Sequence, residues 1–531
     1  MVAEPQPSIG LRPFSNRMVI ISLLVILACT LFPFEFDFST GFPTHRSRWL
    51  LGATPDPTTA GDSLLNILLF IPWGFGIGNW LGRRGRRPST TAILAVCSGA
   101  AISYLIESLQ LYIPQRNSAW DDVLSNSAGA LAGGLLFVRW GGMLRHLSEW
   151  EVAAGAWLSP RRIAWMVLVY VGLFLAVSAP LQYRTRLSDW RDDSLLLVGS
   201  DVQGQHRWRG RIQSLQFWDR ALAEPLALAW TTGKPAVPGD PAALASYDFS
   251  PPPPYVDKRG FLAALYPFPD GAVRTGSAGA ELDGRAWLST RVPLGDLTRK
   301  MRERNQFTVG LTCSAAAIHG VDGHIVTLGD PSGEMNFRFR QRNADLVFWF
   351  RNPVSSGHAI LAWEFPRFFA TDQARSILVT YDGSVASLYV NGRKAPRSYY
   401  LGPGASLAEI LKFVQSSELS AYAALYDALM FIPTGWLLGF AVSRATTRKT
   451  ATWVLVALGF VFPPLLLEML LMSVSGRALL PGQVALSLVL TGAGCLLSNA
   501  DPPLRADGRP PEGQPPVGEG GRPGSLRTVR E

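Results

Sequence analysis

Cysteine, histidine and charged residues are all scarce in this chain of 531 residues. Three of the four cysteines fall in apolar runs, so they provide neither a disulfide framework nor a zinc site: Cys29, Cys97, Cys313 and Cys495. Charged residues make up 17% of the chain, whereas hydrophobic residues make up 48%. That balance indicates a mixture of membrane-spanning and water-exposed segments.

A net charge of +9 raises the question of nucleic-acid binding. Much of the basic charge, however, sits in short loops beside apolar runs, where arginine and lysine orient helices in a bilayer. These loop residues are Arg83, Arg84, Arg86, Arg87, Arg139, Arg145, Arg161, Arg162, Arg444, Arg448 and Lys449. We therefore expect the lipid bilayer as a partner and no nucleic acid.

Eight apolar runs have the length and low charge of transmembrane helices. They are 18–34, 64–81, 91–113, 123–140, 163–181, 419–442, 452–473 and 479–497. No small-residue cleavage site follows the first run, so we interpret it as a retained helix rather than a signal peptide. The fold class we predict is a polytopic α-helical membrane protein of about eight transmembrane helices.

The order of these runs predicts a domain organisation. It comprises a cytoplasmic N-terminus (1–16), a first bundle (17–140), a basic cytoplasmic loop (141–162), a transmembrane helix (163–181), a polar-aromatic domain (186–405), a second bundle of three helices (419–497) and a disordered cytoplasmic tail (501–531). An even number of helices puts both termini on one side, and the basic loops make that side cytoplasmic. The polar-aromatic domain should then lie outside.

The two bundles align without gaps at a shift of 361 residues, which predicts an internal duplication. Phe70-Ile71-Pro72 falls on Phe431-Ile432-Pro433, Glu107 on Glu468, and Arg116 on Arg477. Both copies start outside and run inward, so the duplication is a parallel repeat. The first copy is the more polar one, because Gln110 becomes Leu471.

Polar side chains converge on one end of the first bundle. The candidate membrane site is Asn66, Glu107, Gln110, Arg116, Asp121, Asp122 and Asn126, with Asp427, Glu468 and Arg477 as second-copy equivalents. Ionisable residues at membrane depth usually face a bundle interior. A structural lock, a binding site for an envelope molecule and catalysis all remain open. We predict no catalytic residue, because no nucleophile–base pair is visible and His45 is the only histidine nearby.

The first copy resembles the VanZ-like family. The resemblance rests on residues 62–74 (DSLLNILLFIPWG), 107–110 (ESLQ), Arg116 and 121–129 (DDVLSNSAG), and it covers about residues 15–140. It implies an integral membrane protein of the bacterial cell envelope, in a family named for a member linked to resistance to the glycopeptide teicoplanin. The second copy, 419–497, resembles the family only in part.

The polar-aromatic domain reads as an all-β sandwich. Short alternating runs such as 307–312 and 335–340 are separated by turn residues, and Asn391-Gly392 is a strong hairpin signal. Residues 307–309 (FTV), 381–383 (YDG) and 388–392 (LYVNG) resemble laminin-G or concanavalin-A-like jelly rolls. The segments that would follow them in that family come first here, at 197–200, 208–212 and 217–222. We infer a circularly permuted jelly roll.

That resemblance implies glycan or peptide binding, in some members through calcium. Four tryptophans could stack on sugars, although packing inside the sandwich is the alternative: Trp190, Trp208, Trp218 and Trp349. Asp322, Asp330 and Asp345 could hold calcium, although loop acids are usually solvated. We predict no other cofactor, and no paired carboxylates of a glycosidase are obvious.

Three functions remain open from the sequence. The first is a non-enzymatic envelope protein whose outer domain recognises a glycan or another envelope component, with a role in glycopeptide resistance or exopolysaccharide biology. The second is an enzyme or transporter for a lipid-linked glycan that uses Glu107 and Arg116. The third is a structural scaffold of a polysaccharide export system. A glycan, a lipid-linked envelope precursor and a glycopeptide are the candidate partners.

Overall fold

The computed structural model describes most of the chain. The described residues are 12–31, 36, 60–82, 84–113, 118–140, 160–233, 242–268, 273–276, 278–355, 361–369, 371, 373–395, 398–411, 419–443 and 449–498. Several predicted features lie outside them, namely His45, Arg116, most of the basic loop 141–162 and the tail 501–531.

Each of the eight apolar runs overlaps a helix. The helices are α1 (Arg12–Leu31), α2 (Ala60–Gly82), α3 (Pro88–Gln110), α4 (Trp120–Trp140), α5 (Pro160–Tyr183), α6 (Glu224–Thr231), α7 (Gly295–Arg304), α8 (Pro403–Ile410), α9 (Leu419–Ser443), α10 (Lys449–Ser475) and α11 (Pro481–Ser498). Among the described residues, five segments are long and apolar enough to cross a membrane: Ser63–Gly82, Pro88–Gln110, Arg161–Asp189, Leu419–Val442 and Ala457–Ser475. They indicate a membrane-embedded protein, while the total of eight spans stays a prediction.

Helix α4 is not among those five, and its sequence shows why. It begins with two aspartates and carries buried glycines that face other helices. A Cβ atom added at Gly133 would lie 2.1 Å from the carbonyl oxygen of Ile71 on α2. Glycine is therefore required for this close helix–helix approach, which is typical of packing between helices in membranes.

The second bundle consists of α9, α10 and α11. Its core includes Phe431, Leu467 and Leu490, and Cys29 of α1 and Val171 of α5 pack in the same cluster. The second bundle therefore buries its apolar side chains together with helices from the first part of the chain.

Residues between α5 and α8 form an antiparallel β-sandwich. Its strands are β1 (Leu195–Val198), β2 (Arg209–Trp218), β3 (Ala245–Asp248), β4 (Leu265–Phe268), β5 (Arg274–Gly276), β6 (Gly279–Asp283), β7 (Trp287–Thr290), β8 (Phe307–Ala315), β9 (Asp322–Gly329), β10 (Met335–Arg342), β11 (Asp345–Phe350), β12 (Trp363–Phe365), β13 (Arg375–Tyr381), β14 (Val385–Val390), β15 (Arg393–Lys394) and β16 (Tyr399–Tyr400). The first sheet has the order β12-β11-β10-β9-β1-β7-β4, and the second sheet runs β15-β14-β13-β8-β2-β6-β5.

Strands from both ends of the domain share one core. Val198 of β1 and Leu388 of β14 belong to the same buried cluster, and β2 pairs with β8, which in turn pairs with β13. Residues 195–220 therefore do not form a separate domain. The hairpin predicted at Asn391-Gly392 is present, since Val390 and Arg393 face each other and both turn residues have positive φ. The laminin-G identity stays a prediction.

The sandwich is fixed to the helices through a polar junction. Asn305, at the C-terminal end of α7, accepts the N–H of Leu187 at 2.9 Å and donates to the carbonyl oxygen of Ser475 at 2.7 Å. The chain leaves and re-enters the bundle at neighbouring points, because the Ser406 hydroxyl of α8 donates to the Leu181 carbonyl oxygen of α5 at 2.7 Å. The end of α10 near Glu468 and Arg477 therefore lies beside the sandwich.

Candidate functional site

Asn66 and Asp122 connect two helices of the first bundle. The side-chain amide of Asn66, on α2, donates to Asp122 Oδ1 at 2.8 Å, and both residues are half-buried. Asp122 lies in the first turn of α4, where the helix dipole favours a negative charge. Asp121, in the same turn, is exposed, so only one of the two predicted aspartates takes part in the contact.

Glu107 holds the connection between α3 and α4. Its side chain is 2% exposed, and its Oε2 accepts the backbone N–H of Ala119 at 3.0 Å. The hydroxyl of Ser118 donates to the backbone carbonyl oxygen of Glu107 at 2.8 Å. Arg116 lies outside the described residues, so its pairing with Glu107 stays a prediction.

Gln110 and Asn126 make contacts with other helices. Gln110 Nε2 donates to the carbonyl oxygen of Thr30 on α1 at 2.9 Å. Asn126 Nδ2 donates to the hydroxyl of Ser103 on α3 at 2.8 Å. Hydrogen bonds of Asn66, Gln110 and Asn126 thus connect the four helices α1 to α4.

Glu468 and Arg477 form the corresponding unit of the second bundle. Arg477 Nη1 and Nη2 lie 2.6 and 2.7 Å from Glu468 Oε1 and Oε2. The backbone N–H of Leu480 also donates to Glu468 Oε1, at 2.8 Å. Both charged side chains are buried, so the pair is protected from screening by solvent and salt.

Asp427 is the buried acid of the second bundle. It is 1% exposed on α9, and its Oδ2 accepts the Nε2 group of Gln483 at 3.0 Å and the hydroxyl of Ser487 at 3.4 Å, both from α11. Asp427 and Gln483 stand 361 residues after Asn66 and Asp122. Each bundle therefore bridges two helices with one carboxyl group and one carboxamide, and the two groups have exchanged places.

Other contacts recur at the same shift. The N–H that reaches Glu107 comes from Ala119, and the one that reaches Glu468 comes from Leu480. A Cβ atom at Gly74 would lie 1.9 Å from the carbonyl oxygen of Ala130, and one at Gly435 would lie 2.0 Å from that of Thr491. These two kinds of contact are therefore made in both bundles by residues that stand 361 positions apart.

The predicted calcium ligands of the sandwich are engaged by protein groups. Asp322 pairs with Arg340. Asp330 Oδ1 accepts the N–H of Ser332 at 2.8 Å, and Asp345 Oδ1 accepts the N–H of Arg367 at 2.7 Å. Within the described ranges, no group of three or more His, Cys, Asp or Glu side chains is placed to hold a metal ion.

Three of the four predicted sugar-stacking tryptophans are covered by protein: Trp190 and Trp208 lie in the core between the sheets, and Trp218 packs between the second sheet and α6. Trp190 is 2% exposed and donates to the Arg351 carbonyl oxygen, and Trp208 is fully buried and donates to Gln341. Trp218 is 4% exposed and packs edge-on against Trp230. A sugar face cannot reach rings covered in this way, so packing accounts for these three.

A different set of aromatic side chains is accessible on the first sheet. The aromatic–arginine surface consists of Arg207, Tyr266, Phe268, Trp287 and Arg291. Phe268 is 38% exposed and stacks on Trp287, with ring centroids 6.1 Å apart. Arg207 lies 4.8 Å from the Trp287 ring centre and Arg291 lies 4.0 Å from that of Tyr266. Alternation along 265–268 could have indicated this surface, but the partner strand β7 was not identified from the sequence.

Comparison with known proteins identifies one segment. Residues 19–143 match the sequence model of the VanZ/LLP1 family, which confirms the VanZ-like resemblance for the first bundle. No curated protein and no solved structure matches the chain. The VanZ-like domain and the apolar helices together indicate a membrane-associated protein of the cell envelope.

Proposed function

We propose that this chain is a non-enzymatic protein of the bacterial cytoplasmic membrane that binds an envelope glycan through its sandwich. The aromatic–arginine surface carries the proposal. Stacked aromatic rings present a flat apolar face to a sugar ring, and neighbouring arginines donate hydrogen bonds to hydroxyl or acidic groups. The basic loops support a sandwich that faces outward.

The second bundle is in this proposal a degenerate duplicate of the VanZ-like first bundle. Its support is the set of contacts that recur at a shift of 361 residues, including Gly74 with Ala130 and Gly435 with Thr491. In the duplicate, the buried ion pair of Glu468 and Arg477 lies beside the junction with the sandwich. In this proposal, the second bundle is the part of the membrane region to which the sandwich is attached.

The bundles anchor the protein rather than carry out a reaction. The polar side chains that face each other in the bundles are bound to one another: Asn66 binds Asp122, and Asp427 binds Gln483. Polar groups that are already engaged within the protein favour a scaffold over a transport path or a catalytic centre. A scaffold of a polysaccharide export system is therefore the second candidate function, and it is compatible with glycan binding by the sandwich.

Binding of defined oligosaccharides to the full chain in lipid nanodiscs tests glycan recognition. The probes are maltohexaose, chitohexaose and hexagalacturonate, measured by calorimetry. Phe268→Ala and Trp287→Ala should each abolish the binding seen with the native chain, because they remove the stacked pair. Val256→Ala is the matched control, since Val256 is an apolar sandwich residue that is 63% exposed outside this surface. Absence of binding to all three probes, or equal loss in the control, overturns the proposal.

A further inference from the structure

Strand β10 carries three arginines on the face that points away from the core. Phe337 and Phe339 are fully buried in the core cluster, and Arg338, Arg340 and Arg342 alternate with them. The three guanidinium groups therefore share the outer face of the first sheet, and their partners differ.

Two of these arginines have a carboxylate partner. Arg340 forms a two-pronged pair with Asp322, and Arg342 pairs with Glu364 at 2.6 Å. Arg338 has no ion-pair partner within the part of the chain that the structure describes, and its buried Nε atom has no hydrogen-bond acceptor. A buried N–H without an acceptor is unfavourable, because it loses its hydrogen bonds to water and replaces them with none.

A second unpartnered donor lies opposite Arg338. Trp349, on β11, faces Arg338 in the strand register, and the guanidinium lies 5.6 Å from its ring centre. Trp349 is 9% exposed, and its buried indole N–H has no acceptor. Two hydrogen-bond donors without acceptors, one of them on a guanidinium without an ion pair in the described part of the chain, therefore stand side by side on adjacent strands.

The surroundings of Arg338 remain positive. Burial, followed by the charge of Arg340, lowers the pKa of the Arg338 guanidinium. Burial and then the charge of Arg338 lower the pKa of His324 to about 4, so this imidazole is neutral near pH 7. Asp322, the nearest acid on the face, is already bound by Arg340.

The site lies on the same sheet face as the aromatic–arginine surface. Register partners run in one row across six strands: Tyr266, Ser289, Leu197, Thr327, Arg338 and Trp349. Tyr266 and Arg338 are four strand spacings apart, which is about 19 Å. Leu197, Ser289 and Thr327, which lie between them in the row, are buried, so a hexasaccharide must pass over the chain that covers these residues to bring an acidic substituent towards Arg338.

We propose that Arg338 and Trp349 bind one anionic group, a carboxylate or a phosphate, of the glycan that the sandwich recognises. This inference rests on the proposed glycan binding and adds that the ligand is acidic. The guanidinium offers paired N–H donors that match the two oxygens of such a group, and the indole N–H adds a third donor.

Affinities of the full chain in nanodiscs test this assignment. Arg338→Gln should weaken hexagalacturonate binding about tenfold to a hundredfold, as expected for one charged hydrogen-bond partner, and leave any maltohexaose affinity unchanged. Arg342→Gln is the matched control on the same strand and should change neither affinity. Trp349→Phe should weaken hexagalacturonate binding by a smaller factor, because it removes one donor and keeps the ring. Native affinity in Arg338→Gln overturns the assignment.

Competition experiments distinguish a carboxylate from a phosphate as the bound anion. They also distinguish failure of the anion site from failure of glycan binding. Displacement of hexagalacturonate by inorganic phosphate or glucose 6-phosphate assigns a phosphate as an alternative ligand, and no displacement assigns the carboxylate. If no oligosaccharide binds but phosphate binds the native chain and not Arg338→Gln, the anion site stands and glycan recognition fails. If neutral and acidic sugars bind equally, glycan recognition stands and the anion site fails.

Thermal midpoints of all variants check folding. A midpoint more than a few degrees lower for Arg338→Gln overturns the assignment, because it shows that the charge is already satisfied in the fold.

Discussion

Arg477 and Glu468 form a bidentate ion pair beside the sandwich, with nitrogen–oxygen distances of 2.6 and 2.7 Å. Glu468 lies inside α10, and Arg477 stands two residues after the end of that helix at Ser475. The arginine therefore folds back over the helix end. Ser475 also accepts a hydrogen bond from Asn305 of the sandwich, so the pair and the domain junction share one turn of chain.

Glu468→Gln should lower the free energy of unfolding by about 3–5 kcal/mol, because it leaves a buried guanidinium without its counter-charge. The exchange of charges in Glu468→Arg with Arg477→Glu should restore part of the loss. Thermal midpoints in detergent measure both. Asp296→Asn is the control, since it removes an exposed pair with Arg299 and should cost less than about 1 kcal/mol. Equal shifts for the two acids would contradict the assignment of a buried pair.

The first bundle allows the same experiment. Glu107→Gln should lower stability, because a neutral carboxamide oxygen accepts the Ala119 N–H more weakly than the carboxylate does. We predict that an exchange of charges between Glu107 and Arg116 restores part of the loss. A restored midpoint together with lost envelope function would show that Glu107 has a role beyond the lock. No restoration by the exchange would contradict the predicted Glu107–Arg116 pair.

The exchanged acid and amide provide a direct test of the duplication. Asn66→Asp alone should destabilise the chain at neutral pH, because it places two carboxyl groups in contact. Adding Asp122→Asn should restore the native midpoint, since the double variant reproduces the order of acid and amide found at Asp427 and Gln483. A double variant no more stable than the single one would argue against equivalent positions.

Reporter fusions test the orientation. Fusions at Gly85, between α2 and α3, and at Gly392, in the β14–β15 turn, should report opposite sides of the membrane. The expectation rests on the basic residues around Gly85. A reporter active only outside the cytoplasm should be silent at Gly85 and active at Gly392, and the same signal at both positions would refute the topology.

The sandwich should lose stability in mild acid. Burial lowers the pKa of His324 from 6.5 to about 4. Between these two pH values, the unfolded chain binds a proton at this residue and the folded chain does not. The contribution of the neutral His324 to the free energy of unfolding is therefore fully present above pH 6.5. About 3 kcal/mol is lost as the pH falls from 6.5 to about 4. His324→Gln should flatten this pH dependence. Thermal midpoints measured across the pH range test it. The exposed His319→Gln should keep the native profile, and a native profile in His324→Gln would contradict the assignment.

The sequence predicts the positions of helices and strands well, because apolar length and alternation are local properties. Each apolar run overlaps a helix, and the alternation at 335–340 correctly separates core from surface in β10. The resemblance of residues 62–74 to the VanZ-like family also identifies the correct segment.

The sequence does not predict which groups each individual side chain contacts. Arg338, Arg340 and Arg342 look alike in the sequence, yet only the register of β9, β11 and β12 decides which arginine meets a carboxylate. Trp208 and Trp287 likewise look equivalent, but one lies in the core and the other on the outer face. Such differences depend on pairing across the sheet, which a single sequence does not encode locally.

The two closely spaced connections of the sandwich determine how it responds to mechanical load. Arg184 of the outgoing segment pairs with Glu409 of α8, next to the contact between Leu181 and Ser406. A force on the sandwich would therefore be shared between α5 and α8 rather than carried by one connection alone.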